Sequence, residues 1–439
     1  VTGVGLADAL VAHGLDPSER ANKQALFTAL VEAYAIARKG SPERAWWVPG
    51  RIEVFGKHTD YAGGRTLVCP VPRGFGIVAA ARGDRIVTVT DALRGDSVTL
   101  VAGTEAMPQA GWRHYVDVAV RRLARNFPGS AFGADILIAS DLPRASGMSS
   151  SSALVVGVAA ALIAVGDVRK QPEWQANIRT GLDAAAYYAC IENGRRFGNL
   201  EGDAGVGTHG GSEDHAAIVE GRTGTVSAFA FVPPRAIDVA RVPDAWRFVV
   251  TPSGVRASKT GDAKGKYNRL SAGSGALLAL WNDRYAAAAA SLAAALSSEA
   301  GAADRLRDIV RHSRIPDWAP ADLERRLDHF IAEDARVLPA LDAFRSGDAR
   351  ALGFLSQQSQ EDAGLLLGNQ VQETVALAKS ARDGGAFAAS SFGAGFGGSV
   401  WALVPADIAV EFSRRWHRDA FVARPGPPLT SLTLPGDAS

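Results

Sequence analysis

The sequence predicts an α+β protein of about two domains. Three observations lead there. The chain has 439 residues, long for a single core. Between about 45 and 100, short β-rich runs alternate with Gly, Pro and Asp turns. Past Asn268 the composition turns helical, and sheet-like runs return only near the end.

Taken in order, residues 5–39 carry helical spacing and stop at Lys39-Gly40-Ser41-Pro42. RIEVFG, TLVCPV, GIVAAAR, RIVTVTD and SVTLVAG then read as strands. Residues 112–126 return to helix, and ADILIAS (134–140) is a buried strand. The loop DLPRASGMSSSS follows, then an apolar helix at 153–165 and another over roughly 172–196. A glycine-rich segment covers 198–211, with strand-like IVEG and TVSAFAFV after it. RFVVTPSG (247–254) ends in a turn. Helices run from 270 to about 383, broken near Pro316 and Pro320. Two last strands flank SSFGAGFGGSVWALVP, a helix follows at 406–418, and the tail is loop-like. We expect domains at 1–245 and 246–439.

Composition narrows the function. Hydrophobic residues make up 47% and charged residues 21%, as in an ordinary globular protein. A net charge of +1 gives no ground for nucleic-acid or anionic-membrane binding. No run approaches about 18 uncharged apolar residues, and the N-terminus does not read as a signal peptide. Cys69 and Cys190 are too few and too far apart for a disulfide framework, so a reducing, cytoplasmic setting is expected. A monomer or weak homodimer acting on a small molecule fits these bounds.

Three Gly/Ser clusters carry the chemistry. The first is PGRIEVFGKHTDYAGGRTL (49–67). The second, LPRASGMSSSSA (142–153), lies between a strand and an apolar helix. Such a loop presents free N–H groups and the positive end of a helix dipole to an anion, and serine hydroxyls can bind phosphate or Mg²⁺. The plain alternative is a serine N-cap, but four consecutive serines favour a phosphate cradle. The loop is neither a Walker A motif nor a dinucleotide G-x-G-x-x-G. The third cluster, FGAGFGGS (392–399), alone is only a tight turn or a close backbone approach.

Together, in order and spacing, the clusters resemble the GHMP superfamily of small-molecule kinases, and within it the galactokinase branch. The first is similar to G-R-x-N-x-x-G-E-H-x-D-Y, the second to P-x-G-x-G-L-S-S-S-A, the third to G-A-G-x-G-G. Trp112-x-x-Tyr115, His329-x-x-x-Glu333 with Arg336, and Gly347-Asp348 are smaller matches. The resemblance implies the two-domain GHMP kinase fold: an N-terminal domain like ribosomal protein S5 domain 2 and a ferredoxin-like, helical C-terminal domain, with the site in the cleft between. It implies an ATP- and Mg²⁺-dependent sugar kinase acting on the anomeric hydroxyl of a galactose-like hexose.

Each chemical task then has a candidate. Gly147, Ser149, Ser150 and Ser151 would cradle phosphate, with Gly395 of the third cluster near ATP. Ser151 and Glu192 would hold Mg²⁺. Asp214, within Gly211-Ser-Glu-Asp-His215, would orient or deprotonate the acceptor hydroxyl, with Glu213 as the rival carboxylate. Arg51 would keep that base ionised and face the transferred phosphoryl group. His58, Asp60, Gly211 and Tyr267 would bind the sugar. Lys259, Lys264 and Lys266 crowd the approach to Tyr267. Glu192 and Asp214 lie 22 residues apart, a longer interval than the family usually shows.

Lys57 stands where the signature has Glu, and Glu53 where it has Asn. In the plain reading, Lys57 pairs with Glu53 or Asp60 and the substrate stays a neutral hexose. In the other, Lys57 meets a carboxylate on the sugar, making the protein a uronic-acid 1-kinase for galacturonate or glucuronate. A third possibility, a non-catalytic ATP and sugar sensor, draws on the altered Ala145, Met148, Lys57 and His215. His58-Thr-Asp-Tyr61 disfavours mevalonate or homoserine as acceptor.

Overall fold

The protein is described here by a computed structural model covering residues 2–38, 40–104, 109–143, 146–255, 262–286 and 288–432. Lys39, Ala145 and Lys259 lie outside the described residues. The first half runs α1 (Gly3–Ala12), α2 (Arg20–Arg38), β1 (Arg44–Phe55), β2 (Arg65–Ala81), β3 (Ile86–Asp91), β4 (Asp96–Val101), α3 (Trp112–Asn126) and β5 (Ala134–Ser140). It continues through α4 (Ser150–Val165), α5 (Pro172–Asn177), α6 (Gly181–Asn193), α7 (Glu213–Glu220), β6 (Thr225–Ala230) and β7 (Arg235–Arg241). The second half comprises β8 (Trp246–Pro252), α8 (Asp262–Tyr285), α9 (Leu292–Ser297), α10 (Ala302–His312), α11 (Pro320–Ser346), α12 (Ala349–Asp362) and α13 (Gln372–Asp383). It ends with β9 (Ala388–Phe392), β10 (Ser399–Pro405), α14 (Ala409–Trp416), β11 (Phe421–Ala423) and β12 (Thr430–Leu432).

One sheet has the order β12-β1-β2-β5-β3-β4, with β6 and β7 joined through β2. Alternation along its strands builds two cores. Trp46, Val48 and Ile77 pack with α3 and α4 on one face, while Trp47 and Val78 pack with Leu10, Phe27 and Leu30 of α1 and α2 on the other. The second sheet, β11-β8-β10-β9, is antiparallel. Trp401 and Phe248 of that sheet share a core with Phe55 of β1 and Phe344 of α11, joining the halves.

TLVCPV and GIVAAAR form one strand rather than two. Residues 65–68 of β2 pair with β6 and residues 75–81 with β5. Pro70 and Pro72 fall between these partners, where a missing N–H breaks no ladder on that side.

Three other expectations are corrected. The helix over 172–196 is two, α5 and α6, because Thr180 and Asp183 form a reciprocal capping box that starts a new helix. IVEG belongs to α7, not to a strand. Glu213 and Asp214 in its first turn suit a helix N-terminus, and Ala216, Ala217 and Ile218 are buried. The tail is not all loop: β11 pairs with β8, and β12 pairs with β1. The last described strand therefore closes the sheet of the first half.

Leu432 of β12 is buried with Trp47 and Leu10. Leu432→Ala should lower the unfolding free energy by about 2–3 kcal/mol, the usual cost of truncating a buried Leu. A shift in the urea midpoint at constant m-value checks this; no shift would mean that the strand does not contribute to the core.

Candidate active site

A cleft of ≈ 510 Å³ brings residues from all three clusters together. β1 contributes Arg51 and Glu53, and the following turn His58, Asp60 and Tyr61. The loop into α4 contributes Gly147 and Ser149 to Ser152. α6 supplies Glu192, the entry to α7 supplies Gly211, Glu213, Asp214 and His215, and α8 supplies Tyr267. At the far end the cleft is lined by Phe75, Trp112, Tyr115, Ile138 and Leu142.

Arg51 is the hub. Its Nε donates to Asp214 Oδ1 at 2.8 Å, and its Nη1 to the Gly147 carbonyl at 2.7 Å. Nη2 lies 2.7 Å from the same Asp214 oxygen, and Nε 3.3 Å from Glu213 Oε1. Burial works against the guanidinium charge, but Asp214, Glu213 and Glu53 outweigh it and lift the Arg51 pKa above its ordinary value. Glu213 and Glu53 are themselves pushed up by burial. Of the acids that face Arg51, Asp214 takes the best-formed bonds, at 2.7 and 2.8 Å against 3.3 Å for Glu213.

The cradle begins at Gly147, with φ +72°. A Cβ there would sit 3.3 Å from the Gly398 Cα and 3.4 Å from the Phe392 carbonyl, so the third cluster backs the second. Ser149 is in the left-handed region at φ +58° and caps α4 without a side-chain bond. Its Oγ is buried and has no partner among the described residues. A free hydroxyl at a helix N-terminus suits a phosphate oxygen. Ser150 and Ser151 line the cleft as expected. Gly395 does not: it packs against Asn369, and Gly393 and Ala394 line the cleft in its place.

The serine that reaches Glu192 directly is Ser152, next to Ser151. Its hydroxyl lies 2.7 Å from Glu192 Oε2 and 3.2 Å from Asp214 Oδ2, joining the two carboxylates. His215 Nε2 lies 3.2 Å from the same Glu192 oxygen. The run of four serines pointed to this loop, but not to which hydroxyl turns toward α6.

At the other side lie the predicted sugar residues. His58 Nε2 is 3.2 Å from the Ala394 carbonyl, so this nitrogen carries the proton, and Nδ1 accepts from Tyr61 Oη at 3.0 Å. Burial and then Arg326 hold the His58 pKa down to about 3, leaving a neutral ring. Asp60 Oδ2 accepts from the Glu213 N–H at 3.1 Å. A Cβ on Gly211 would lie 2.2 Å from that oxygen, so only glycine fits. The Tyr267 ring sits 5.5 Å from the His58 ring.

Lys57 does not join them. It is 1% exposed and absent from the cleft wall. Its Nζ donates to Ser359 Oγ of α12 and, at 2.9 Å, to Ser390 Oγ of β9. Glu333 of α11 accepts from the Gly56 and Lys57 N–H groups and from Ser359 Oγ. Burial lowers the Lys57 pKa while Glu333 and then Glu53 favour its charge. Burial likewise opposes the Glu333 charge, but Lys57 and Arg336 outweigh it. The expected partners, Glu53 or Asp60, are thus replaced by two serines and Glu333. The missed signal was His329-x-x-x-Glu333, which carries the matching acid.

Two outcomes follow. Lys57→Met should destabilise the protein by about 2–3 kcal/mol, below the full cost of breaking a buried ion pair because Arg336 still faces Glu333. Urea unfolding checks it; unchanged stability with selective loss of sugar binding would contradict this placement. His58 titrates near 6.5 when unfolded and about 3 when folded. The unfolded chain therefore binds more protons between those values, and stability falls as pH drops below 6.5. His58→Asn should flatten that slope by up to ~1.4 kcal/mol per pH unit, read from urea unfolding at pH 7, 6 and 5; an unchanged slope would contradict a buried neutral ring.

Comparison with known proteins agrees with this geometry. Residues 114–190 match the family described as GHMP kinases N terminal domain, and residues 35–82 match the galactokinase galactose-binding signature. A galactokinase from Chloroflexus aggregans is 30% identical over 384 residues, covering 84% of this chain and 86% of that protein. One from Mycobacterium tuberculosis is 30% identical over 399 residues, covering 90% and 98%. Among solved structures, Lactococcus lactis galactokinase complexed with galactose has a TM-score of 0.70 at 23% identity, over 92% of this chain and 98% of that one. Methanococcus jannaschii mevalonate kinase has a TM-score of 0.56 at 14% identity, over 88% and 99%. The fold is thus that of the GHMP kinases, and the chain belongs to their galactokinase family.

Proposed function

We propose that the protein is an ATP-dependent sugar kinase that phosphorylates the anomeric hydroxyl of a galactose-like hexose. The observation that carries this is the Arg51–Asp214 pair, set in one cleft between the serine cradle and the His58–Asp60 corner. The C1 hydroxyl oxygen forms a bond to the γ-phosphorus as the bond to the β,γ-bridging oxygen breaks and ADP leaves. The hydroxyl proton passes to Asp214, which Arg51 holds in its ionised form. Arg51 also offers positive charge to the transferring phosphoryl group. Asp60, neutral His58 and Tyr267 would hold the sugar hydroxyls, and Trp112 and Tyr115 would flank the base of ATP.

The donor set fits Mg²⁺, which binds through one or two carboxylates, hydroxyls and substrate phosphates rather than a full protein cage. Among the described residues no cluster of three or more His, Cys, Asp or Glu could enclose a metal. Glu192, oriented by Ser152, and Ser151 would hold the ion, which would neutralise charge on the phosphates. Galactose is carried over from the Lactococcus lactis structure, whose ligand it is. A uronate is not favoured, because Lys57 faces away from the cleft. A sensor is not favoured either, since Arg51 pairs with Asp214 in the cleft, as a kinase would use them. Two free cysteines fit a cytoplasmic enzyme, which we take to be a monomer or weak homodimer. No helix among the described residues is long and apolar enough to cross a membrane.

Asp214→Asn should lower kcat by about 10²–10⁴-fold, the usual loss of a general base. ADP release measures kcat, and calorimetry should find galactose affinity within a few-fold of the parent. A variant keeping more than a tenth of the parent kcat would remove Asp214 from the base role.

A further inference from the structure

The long interval between Glu192 and Asp214 has a structural use beyond the reaction described above. Its residues form a bracket between the two halves. On the first half, Arg122 of α3, fully buried, donates to the Arg195 carbonyl at 2.6 Å, and Asn126 to the Glu201 carbonyl at 3.2 Å. The Val206 N–H returns to the Glu192 carbonyl at 2.8 Å. On the second half, the tip of the bracket is gripped by α8. Asn268 Nδ2 donates to the Gly207 carbonyl at 3.0 Å, and Asn268 Oδ1 accepts from the His209 N–H at 3.0 Å. Ser271 Oγ adds a bond to the His209 carbonyl at 2.9 Å.

The next residues after this grip, Gly210 and Gly211, line the cleft. Tyr267, beside Asn268 on α8, lies so close that a Cβ on Gly210 would meet its Oη at 2.9 Å. The rest of α8 packs elsewhere: Leu277 and Trp281 are buried with α9, α10 and α11. The first turns of α8 therefore meet this segment through Lys264, whose Nζ donates to the Val206 carbonyl at 3.1 Å, through the Asn268 carboxamide as both donor and acceptor, and through the Ser271 hydroxyl.

We propose that Asn268 is a positioning residue for the acceptor sugar. Its amide clamps the Gly207–His209 backbone and so sets Tyr267 and Gly210–Gly211 around the acceptor sugar. Asn268 touches no reacting atom and acts through Tyr267 and the glycines. The proposal rests on the reading that this end of the cleft holds the acceptor hexose.

The test compares Asn268→Ala and Ser271→Ala with the parent in steady-state kinetics on galactose and ATP. Asn268→Ala should raise the galactose KM about ten-fold and Ser271→Ala about three-fold, the scale of hydrogen bonds lost. The ATP KM should stay within about two-fold and kcat within about three-fold. A parent-like galactose KM, or equal damage to both substrates, would overturn the proposal. Hydrogen exchange separates this outcome from the choice of sugar. The His209 amide should be protected in the parent and exposed in Asn268→Ala. If it exchanges freely in the parent, the clamp does not exist. If it is protected as described but the parent phosphorylates no hexose, the functional reading fails and the clamp stands.

Discussion

The buried contact between Arg51 and Asp214 is the constraint on which the site depends. It ties the strand of the first cluster to the helix that carries Asp214, and through the Gly147 carbonyl it ties both to the serine loop. A buried guanidinium is costly unless paired and hydrogen-bonded. Here its nearest partners are a carboxylate, a second acid and a main-chain carbonyl, so the charge is paired while its contacts fix three loops at once. Among the acids, Asp214 takes the two shorter contacts, at 2.7 and 2.8 Å, and Glu213 a longer one at 3.3 Å.

Lys57 shows how a reversal of charge within a binding signature can leave the chemistry of the cleft untouched. The turn at Gly56 points the ammonium toward α12 and β9, where Ser359 and Ser390 accept from it, and the charge of Glu333 on α11 favours it. The substitution therefore acts on the seam between the two halves. The cleft wall itself keeps a neutral His58, Asp60 and Tyr267. The second seam, through the bracket before α7, meets the same wall from the opposite side.

Much of this was legible in the sequence. The strand at 134–140 and the helix at 112–126 followed from apolar runs bounded by turn residues. Gly147, Ser149, Arg51, His58 and Asp60 were marked by clusters whose order and spacing match one family, and Asp214 by the separate run Gly211-Ser-Glu-Asp-His215. What was not legible depended on direction. β1 has a register shift between Glu53 and Phe55, so simple alternation cannot say which way Lys57 points. Ser151 and Ser152 differ by one helical step, and only packing against α6 decides which hydroxyl meets Glu192. Gly393 and Gly395 are equally permissive glycines, and Asn369 decides that the second faces inward. IVEG has strand-forming residues, but burial on α7 overrode that preference, and a three-residue strand in the tail carries too little pattern to be seen.

The central claim is transfer of a phosphoryl group to C1 of a neutral hexose. The most direct measurement is ³¹P NMR of the products formed from Mg-ATP with galactose and, separately, with galacturonate and glucuronate. The account predicts an anomeric sugar phosphate appearing with ADP from galactose, and no comparable product from either uronate. Phosphorylation of a uronate alone, or ADP and sugar binding without any sugar phosphate, would contradict it.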